Sequence, residues 1–440
     1  MVARLFPGVY EGWIVVGAST TMLFILSAAV FWGLGPIFNP ILDEFGWSHG
    51  ATAFAFAARS EVNGAAAPFV GALIDRIGSR MMLVVGLIVA SCCLFLLSFM
   101  QNIVHFYLLM LVMALGTSTC GGQATMVSTV SWFERKRARA LALATAGGTL
   151  GGILVVAIAF LVESLGWRGA LQVMALVLLV GGLLAGSNVR TRPPGHRQPL
   201  DGIPRATGLG QRAGEDDDER WGVPLREALR ARAFWLLAFA QFAIFFAITA
   251  IVVLHVPFME DDVGISKTAA GVGSAFFAVA SLVGRIISGG AADRFDKRVV
   301  LALVVLVAGV AMPLFALVQN LWQASLVLMV IAAGVGGANP IRTALLADYF
   351  GTRSFGAING VSMAIGTLGA FLGPWLLGLS VDVTGGYSTG FMFTGVVALV
   401  SIPFVLRTKA PTELTARYRG RTVRVVQPGP PPPSAGAPRG

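Results

Sequence analysis

Twelve times along its 440 residues this chain runs through about twenty mostly apolar residues, with short polar breaks between the runs. A bilayer core about 30 Å thick takes about 20 such residues per helix. The spans fall at 13–37, 51–74, 80–100, 103–128, 140–164, 168–189, 233–257, 268–292, 298–318, 321–346, 355–381 and 386–406. Hydrophobic residues make up 56% of the chain and charged ones only 12%, about half the charged share of an average soluble domain. In lipid every backbone N–H and C=O needs an internal partner, which selects helices. The expectation is an all-α membrane protein of twelve transmembrane helices in two pseudo-symmetric six-helix bundles. The apolar run from Trp13 is too long for a signal peptide and no small-residue cleavage site ends it, so it stays as the first span.

The net charge of +10 raises the question of an acidic partner. Where the 32 Lys and Arg residues sit answers it. With the amino terminus inside, 27 lie in cytoplasmic segments, three within helices (Arg59, Arg285, Arg342) and two outside (Arg168, Lys267). This is the positive-inside pattern. It puts both termini and the long central loop in the cytoplasm of a cell, inner or plasma, membrane, and it makes the basic character a topology signal, with no nucleic-acid partner. Cys92, Cys93 and Cys120 all lie in spans with no His or Cys at metal-ligand spacing, so they read as packing residues and neither metal nor cofactor is expected.

Residues 190–232 carry five prolines, nine arginines and the acidic run Glu215 to Glu219, and so divide the chain into a first bundle (1–189), a solvated linker (190–232) and a second bundle (233–406). The tail 407–440, ending in Pro428 to Pro433, is too polar to bury a core and is expected to be disordered.

The halves repeat at an offset of 218 residues: Gly71-Ala-Leu-Ile-Asp75-Arg76-Ile-Gly78-Ser-Arg80 aligns with Gly289-Gly-Ala-Ala-Asp293-Arg294-Phe-Asp-Lys-Arg298. Glu44 to Ser48 aligns in the same register with Asp262 to Ser266, and Trp132 to Gly151 matches Tyr349 to Gly369 with one gap. Parallel six-helix repeats place a solute site between the halves near the midplane, with access alternating as one half rocks against the other. Gly71 to Arg80 matches the G-x-x-x-D-R-x-G-x-R signature between helices two and three, and with it the chain resembles the major facilitator superfamily over residues 10–406. Within that family it resembles the monocarboxylate transporter and oxalate:formate antiporter branch. The residues that carry this are Glu11-Gly12-Trp13, Phe45-Gly46-Trp47-Ser48, Trp132-Phe133 through Lys136-Arg137 with Gly147-Gly148, and Arg285.

A guanidinium at mid-helix costs roughly 3 kcal/mol or more unless it snorkels or serves a function. Arg285 lies eight residues before Asp293, about 12 Å from the end of its helix. It shares a stripe with Ser274, Ser281 and Ser288, read as lining a central cavity. An arginine fork suits a carboxylate through two parallel charge-assisted bonds. The resemblance implies the same, since transporters of this branch anchor their substrate on a helix-eight arginine. The alternative is a structural arginine bonded to carbonyls of a neighbouring helix. The repeat maps Ser281 onto Asn63, which puts Arg59, one turn earlier, on the cavity-facing stripe as a second anchor. Asn63, Ser281 and Phe277 complete the expected substrate site. Glu61, about 200° round from Arg59, reads either as a proton-coupling site or as one end of a buried polar network. Arg342 is expected to snorkel to the cytoplasmic interface.

The loop residues Gly71, Asp75, Arg76, Gly78, Arg80, Asp293, Arg294 and Arg298 read as a conformational gate. The pseudo-twofold brings Asp75 toward the start of helix eleven and Asp293 toward the start of helix five, where a carboxylate is stabilised by the helix dipole. The glycines Gly147, Gly148, Gly151 and Gly152, with Gly366, Gly369 and Gly373, read as the packing of the rocking interface.

The leading functional reading is a secondary transporter of a small carboxylate, proton-coupled or exchanging, acting as a monomer in the bilayer. The branch's helix-one lysine, its helix-eight aspartate (here Ser281) and its helix-eleven lysine are all missing. The alternatives are an efflux transporter for amphiphilic drugs or metabolites, and a sensor that binds a solute without moving it. No catalytic constellation appears at membrane depth, so an enzyme is not expected.

Overall fold

The computed structural model describes residues 10–47, 49–192, 200–202 and 221–424. Ten stretches of helix in it are long and apolar enough to cross a membrane. One of these, Arg137–Gly186, is two helices parted at Gly166, whose φ of +71° breaks the helical run. His49–Ile77 adds a twelfth, less apolar than most of the others because it carries Arg59, Glu61 and Asn63.

In chain order the first bundle is α1 (Glu11–Trp32), α2 (His49–Ile77), α3 (Ser79–Leu97), α4 (Ile103–Trp132), α5 (137–165) and α6 (167–186). The second is α7 (Arg232–Asp261), α8 (Lys267–Arg294), α9 (Lys297–Phe315), α10 (Leu321–Phe350), α11 (Phe355–Thr384) and α12 (Ser388–Arg407). Large apolar side chains face outward, Phe69 and Val383 with four fifths of their surface exposed. Patches of this kind require lipid as solvent.

The bundles meet along a seam where α2 packs on α11 and α5 packs on α8 and α10. At the α2–α11 crossing a Cβ on Gly71 would lie 2.0 Å from the Gly356 carbonyl oxygen, so only glycine lets the two backbones meet. The glycine runs read as rocking-interface packing serve elsewhere. Gly147 and Gly151 seat α5 on α1 within the first bundle, and Gly369 and Gly373 seat α11 on α7 within the second. They pack helices closely within each bundle rather than joining the two.

Three helices leave ideal geometry at one level of the first bundle. α1 widens to a π-turn over Ser27–Trp32, α4 breaks at Gly121 (φ −80°, ψ −144°), and α5 tightens to a 3₁₀ turn over Gly151–Leu154. The linker is not wholly solvated. Asp201 accepts hydrogen bonds from the backbone N–H groups of Glu134, Arg135 and Lys136, and Val223 N–H donates to the Phe350 carbonyl. The acidic run 215–219 lies outside the described residues. The tail departs from the expected disorder. Thr412–Arg424 is a helix, docked where the Thr415 hydroxyl donates to the Tyr349 carbonyl and the Tyr418 hydroxyl to Glu227. Leu414 and Tyr418 also pack against the core of the molecule, and residues 425–440 lie outside the described residues.

Candidate solute site

The irregular level of α1, α4 and α5 borders a cavity of about 160 Å³, closed on its other side by α2 and α11. Ser27, Phe31, Asn63, Gly121, Gly122, Gln123, Gly148 and Thr367 are among its walls. The π-turn of α1 is held there by Ser27, whose hydroxyl donates to the Gly148 carbonyl at 2.6 Å. Asn63 donates to the Thr117 hydroxyl at 3.0 Å. One turn earlier on α2, Arg59 is 7% exposed, its guanidinium stands 4.9 Å from the centre of the Phe31 ring, and its Nε has no hydrogen-bond partner. Asn63 is thus in the cavity wall, and Arg59 stands behind it, in contact with the wall residue Phe31. Glu61 is half-buried on the same helix and, among the described residues, forms no ion pair.

Arg285 stands beside this cavity and not in its wall. Its Nη1 donates across the seam to the Thr145 carbonyl of α5 at 2.6 Å, and its Nε donates to the Gly336 carbonyl of α10 at 3.1 Å. Thr145 lies three residues before the wall residue Gly148, about 4.5 Å along the helix. The serine stripe of α8 faces elsewhere: Ser281 and Ser288 press against Gly336 and Gly337 of α10. Serine opposite glycine gives a close helix crossing, which explains the stripe as packing inside the second bundle. The Ser274 side chain lies outside the described residues. Phe277 stacks on His255 of α7 with ring centres 6.2 Å apart.

Arg342 does not snorkel. It is fully buried, donating to the Ser362 hydroxyl at 2.8 Å, the Thr343 hydroxyl at 3.0 Å and Asn359 Oδ1 at 3.1 Å. With Asn339 Oδ1 at 3.5 Å, four acceptors within its own bundle hold it where the interface is out of reach.

The loop residues expected to form a gate cluster at the end of the molecule where the linker docks. Asp75 accepts from Gly356 N–H and Ala357 N–H, both at 2.9 Å, at the start of α11. Asp293 accepts from Ala138 N–H at 2.9 Å and Arg139 N–H at 3.1 Å, at the start of α5. Gly78 turns the α2–α3 loop with φ +95°, and Arg76 and Arg80 line a surface hollow with Asp75 and Arg190. Arg294 is exposed, whereas Arg298 donates to Asp296 and to the Thr408 carbonyl. That guanidinium holds the Asp296 carboxyl below the usual carboxylate range. Beside Asp293, Arg137 pairs with Asp348, which also takes the Lys297 ammonium at 2.8 Å.

The sequence profile of the Major Facilitator Superfamily matches residues 20–259 and again 237–431. The chain belongs to that superfamily. It is 27% identical to monocarboxylate transporter 11 of Mus musculus over 87% of this chain and 83% of that one. To monocarboxylate transporter 2 of Homo sapiens it is 24% identical, over 90% and 84%. Among solved structures it superposes on FucP, a fucose:proton symporter of E. coli, with a TM-score of 0.70 at 15% identity over 91% of this chain and all of that one. This superfamily member is therefore a multi-pass membrane transporter that resembles the monocarboxylate branch.

Proposed function

We propose that this transporter carries a small carboxylate by alternating access, with both termini in the cytoplasm and the cytoplasmic end closed in this structure. The observation that carries the proposal is a charge imbalance. Arg59, Arg285 and Arg342 sit at helix depth beside the seam, and among the described residues none has a carboxylate within 4 Å. A buried guanidinium left with neutral acceptors is under-compensated, and an anionic solute supplies what the protein omits. Arg285 is the mobile anchor. Its present partners are two carbonyls that carry no net charge, so an arriving carboxylate adds the charge neutralisation and the two parallel bonds that they do not supply. Arg59 and Asn63 complete the anchor set from α2, and Glu61 on the same helix is the candidate proton carrier. Ser281 and Phe277 support Arg285 through the packing of α8.

Cavity size favours this reading over efflux of amphiphiles. About 160 Å³ holds roughly five waters at ~30 Å³ each, whereas pockets that take drug-sized ligands measure about 300–1,000 Å³. The monocarboxylate names of the relatives point the same way. Uptake of labelled lactate or pyruvate into proteoliposomes tests the proposal. Arg285→Ala is expected to lower uptake at least about 30-fold, since losing one partner of a buried charge pair costs about 2–5 kcal/mol. Unchanged uptake in that variant removes Arg285 as anchor.

A further inference from the structure

A chain of side-chain hydrogen bonds crosses the seam beside the cavity and ends in an unused donor. Arg342 Nη2 of α10 donates to Asn359 Oδ1 of α11 at 3.1 Å, and Asn359 Nδ2 donates to Gln123 Oε1 of α4 at 3.1 Å. The direction is forced by chemistry. A guanidinium only donates, so Asn359 must turn its oxygen toward Arg342 and its NH₂ toward Gln123. Gln123 must then accept with its oxygen, which leaves its own NH₂ over. That Nε2 is buried with no partner, on a residue 6% exposed that belongs to the cavity wall.

Two features give this spare donor an anion-binding character. Arg342 brings a full positive charge that meets only neutral acceptors, and each bond along the chain polarises the next. At the same point α4 restarts after its break at Gly121, so the eleven-residue segment Gly122–Trp132 presents its N-terminal, positive end at the cavity. Half-helix termini of this kind face anionic groups at midplane sites.

We propose that Gln123 Nε2 takes an oxygen of the solute's carboxylate, and that Arg342, through Asn359, is the positioning residue that strengthens it. The proposal rests on the carboxylate reading above and names the donor that reading leaves unassigned inside the cavity. It also ties affinity to conformation. Gln123 belongs to the first bundle and Asn359 to the second, so the relay exists only while α4 and α11 are together. When they part, the site loses the support of Arg342 and releases the anion.

The test uses the full-length protein in detergent, with pyruvate titrated and both its dissociation constant and the melting temperature read. Gln123→Met, nearly the same shape, is expected to weaken pyruvate binding about tenfold. Asn359→Leu is expected to weaken it by a similar factor, and the double variant no further than either single change. Gln123→Glu brings its own carboxylate to the relay, so it is expected to melt higher than wild type without pyruvate and to gain nothing when pyruvate is added. A Gln123 that only packs would lower the melting temperature of Gln123→Met and leave the dissociation constant untouched. That result, or additive effects in the double variant, overturns the relay even if Arg285→Ala abolishes binding and the carboxylate reading stands. Wild-type protein that binds neither pyruvate nor longer monocarboxylates overturns both.

Discussion

The two ends of the repeat do the same job with different hardware. Asp75 caps the start of α11 and Asp293 caps the start of α5, each with two backbone N–H bonds of nearly equal length. Around Asp75 the closure depends on backbone meeting backbone, since Gly71 and Gly356 touch with no room for a methyl group. Around Asp293 the glycine is looser. A Cβ on Gly289 would meet the Ala142 side chain at 2.7 Å and no backbone atom nearer than the Ala138 oxygen at 3.2 Å. What that side lacks in close fit it supplies in charge, with Arg137, Asp348 and Lys297 bridging the bundles and Asp201 of the linker adding three more caps to the chain entering α5. One clasp is held by shape and the other by redundancy, so they are expected to fail differently.

The largest effect follows from shape. Gly71→Ala forces the α2–α11 crossing apart, and overpacking of this kind costs about 1–3 kcal/mol or more, all charged to the closed state. Transport is expected to fall more than tenfold, and spin labels on the α2–α3 and α10–α11 loops are expected to shift to longer distances. Gly289→Ala also forces a shift, because the Ala142 Cβ it would meet at 2.7 Å moves only with its backbone, but the overlap is smaller than the 2.0 Å one at Gly71, so it is expected to lose less transport than Gly71→Ala. Equal loss in the two variants breaks the comparison.

Charge removal comes next in size. An anion at a helix N-terminus is worth about 0.3–1 kcal/mol when exposed and up to ~2 kcal/mol when partly buried. Asp75→Asn takes away the only carboxylate seen at the start of α11 among the described residues, so the spin-label populations are expected to shift several-fold toward opening at that end. Asp293→Asn leaves Asp201 and the Arg137–Asp348 pair in place, and its shift is expected to be under twofold. A larger shift from Asp293→Asn than from Asp75→Asn rules out redundancy as the difference.

Much of this architecture was legible because the signals are periodic or repeated. The spans follow from run length, and the placement of Asp75 at α11 and Asp293 at α5 follows from the pseudo-twofold, which needs no knowledge of side-chain packing. What stayed hidden depends on how each helix is rotated about its axis. In a helix apolar all round, position on a stripe does not say which neighbour the stripe faces. Ser281 and Ser288 therefore pointed equally to a cavity or to α10, and Gly147 and Gly369 equally to the seam or to a bundle interior. Distance along the helix places Arg342 near the interface, while Ser362 and Asn359 across the buried α10–α11 crossing, with Thr343 beside it, keep it inside. Gln123 left a usable trace, since Gly121-Gly122 directly before a polar residue in mid-span marks an interrupted helix.

The smallest effect tests redundancy directly. Asp201 is a non-glycine residue at φ +59°, so it makes its three caps from a backbone conformation that strains an L side chain. Asp201→Gly removes the carboxylate but relieves that strain, and glycine adopts the left-handed conformation without a Cβ penalty. Losing a cap costs about 1 kcal/mol and the relief returns part of it, so the melting temperature is expected to change by only a few degrees, with transport nearly unaltered. Combined with Asp293→Asn, the same change leaves the backbone N–H groups at the start of α5 without either carboxylate. The double variant should then open as readily as Asp75→Asn alone. A double variant that behaves like Asp293→Asn would mean that the Arg137–Asp348–Lys297 cluster closes that side unaided, and that the linker carboxylate contributes nothing to the gate.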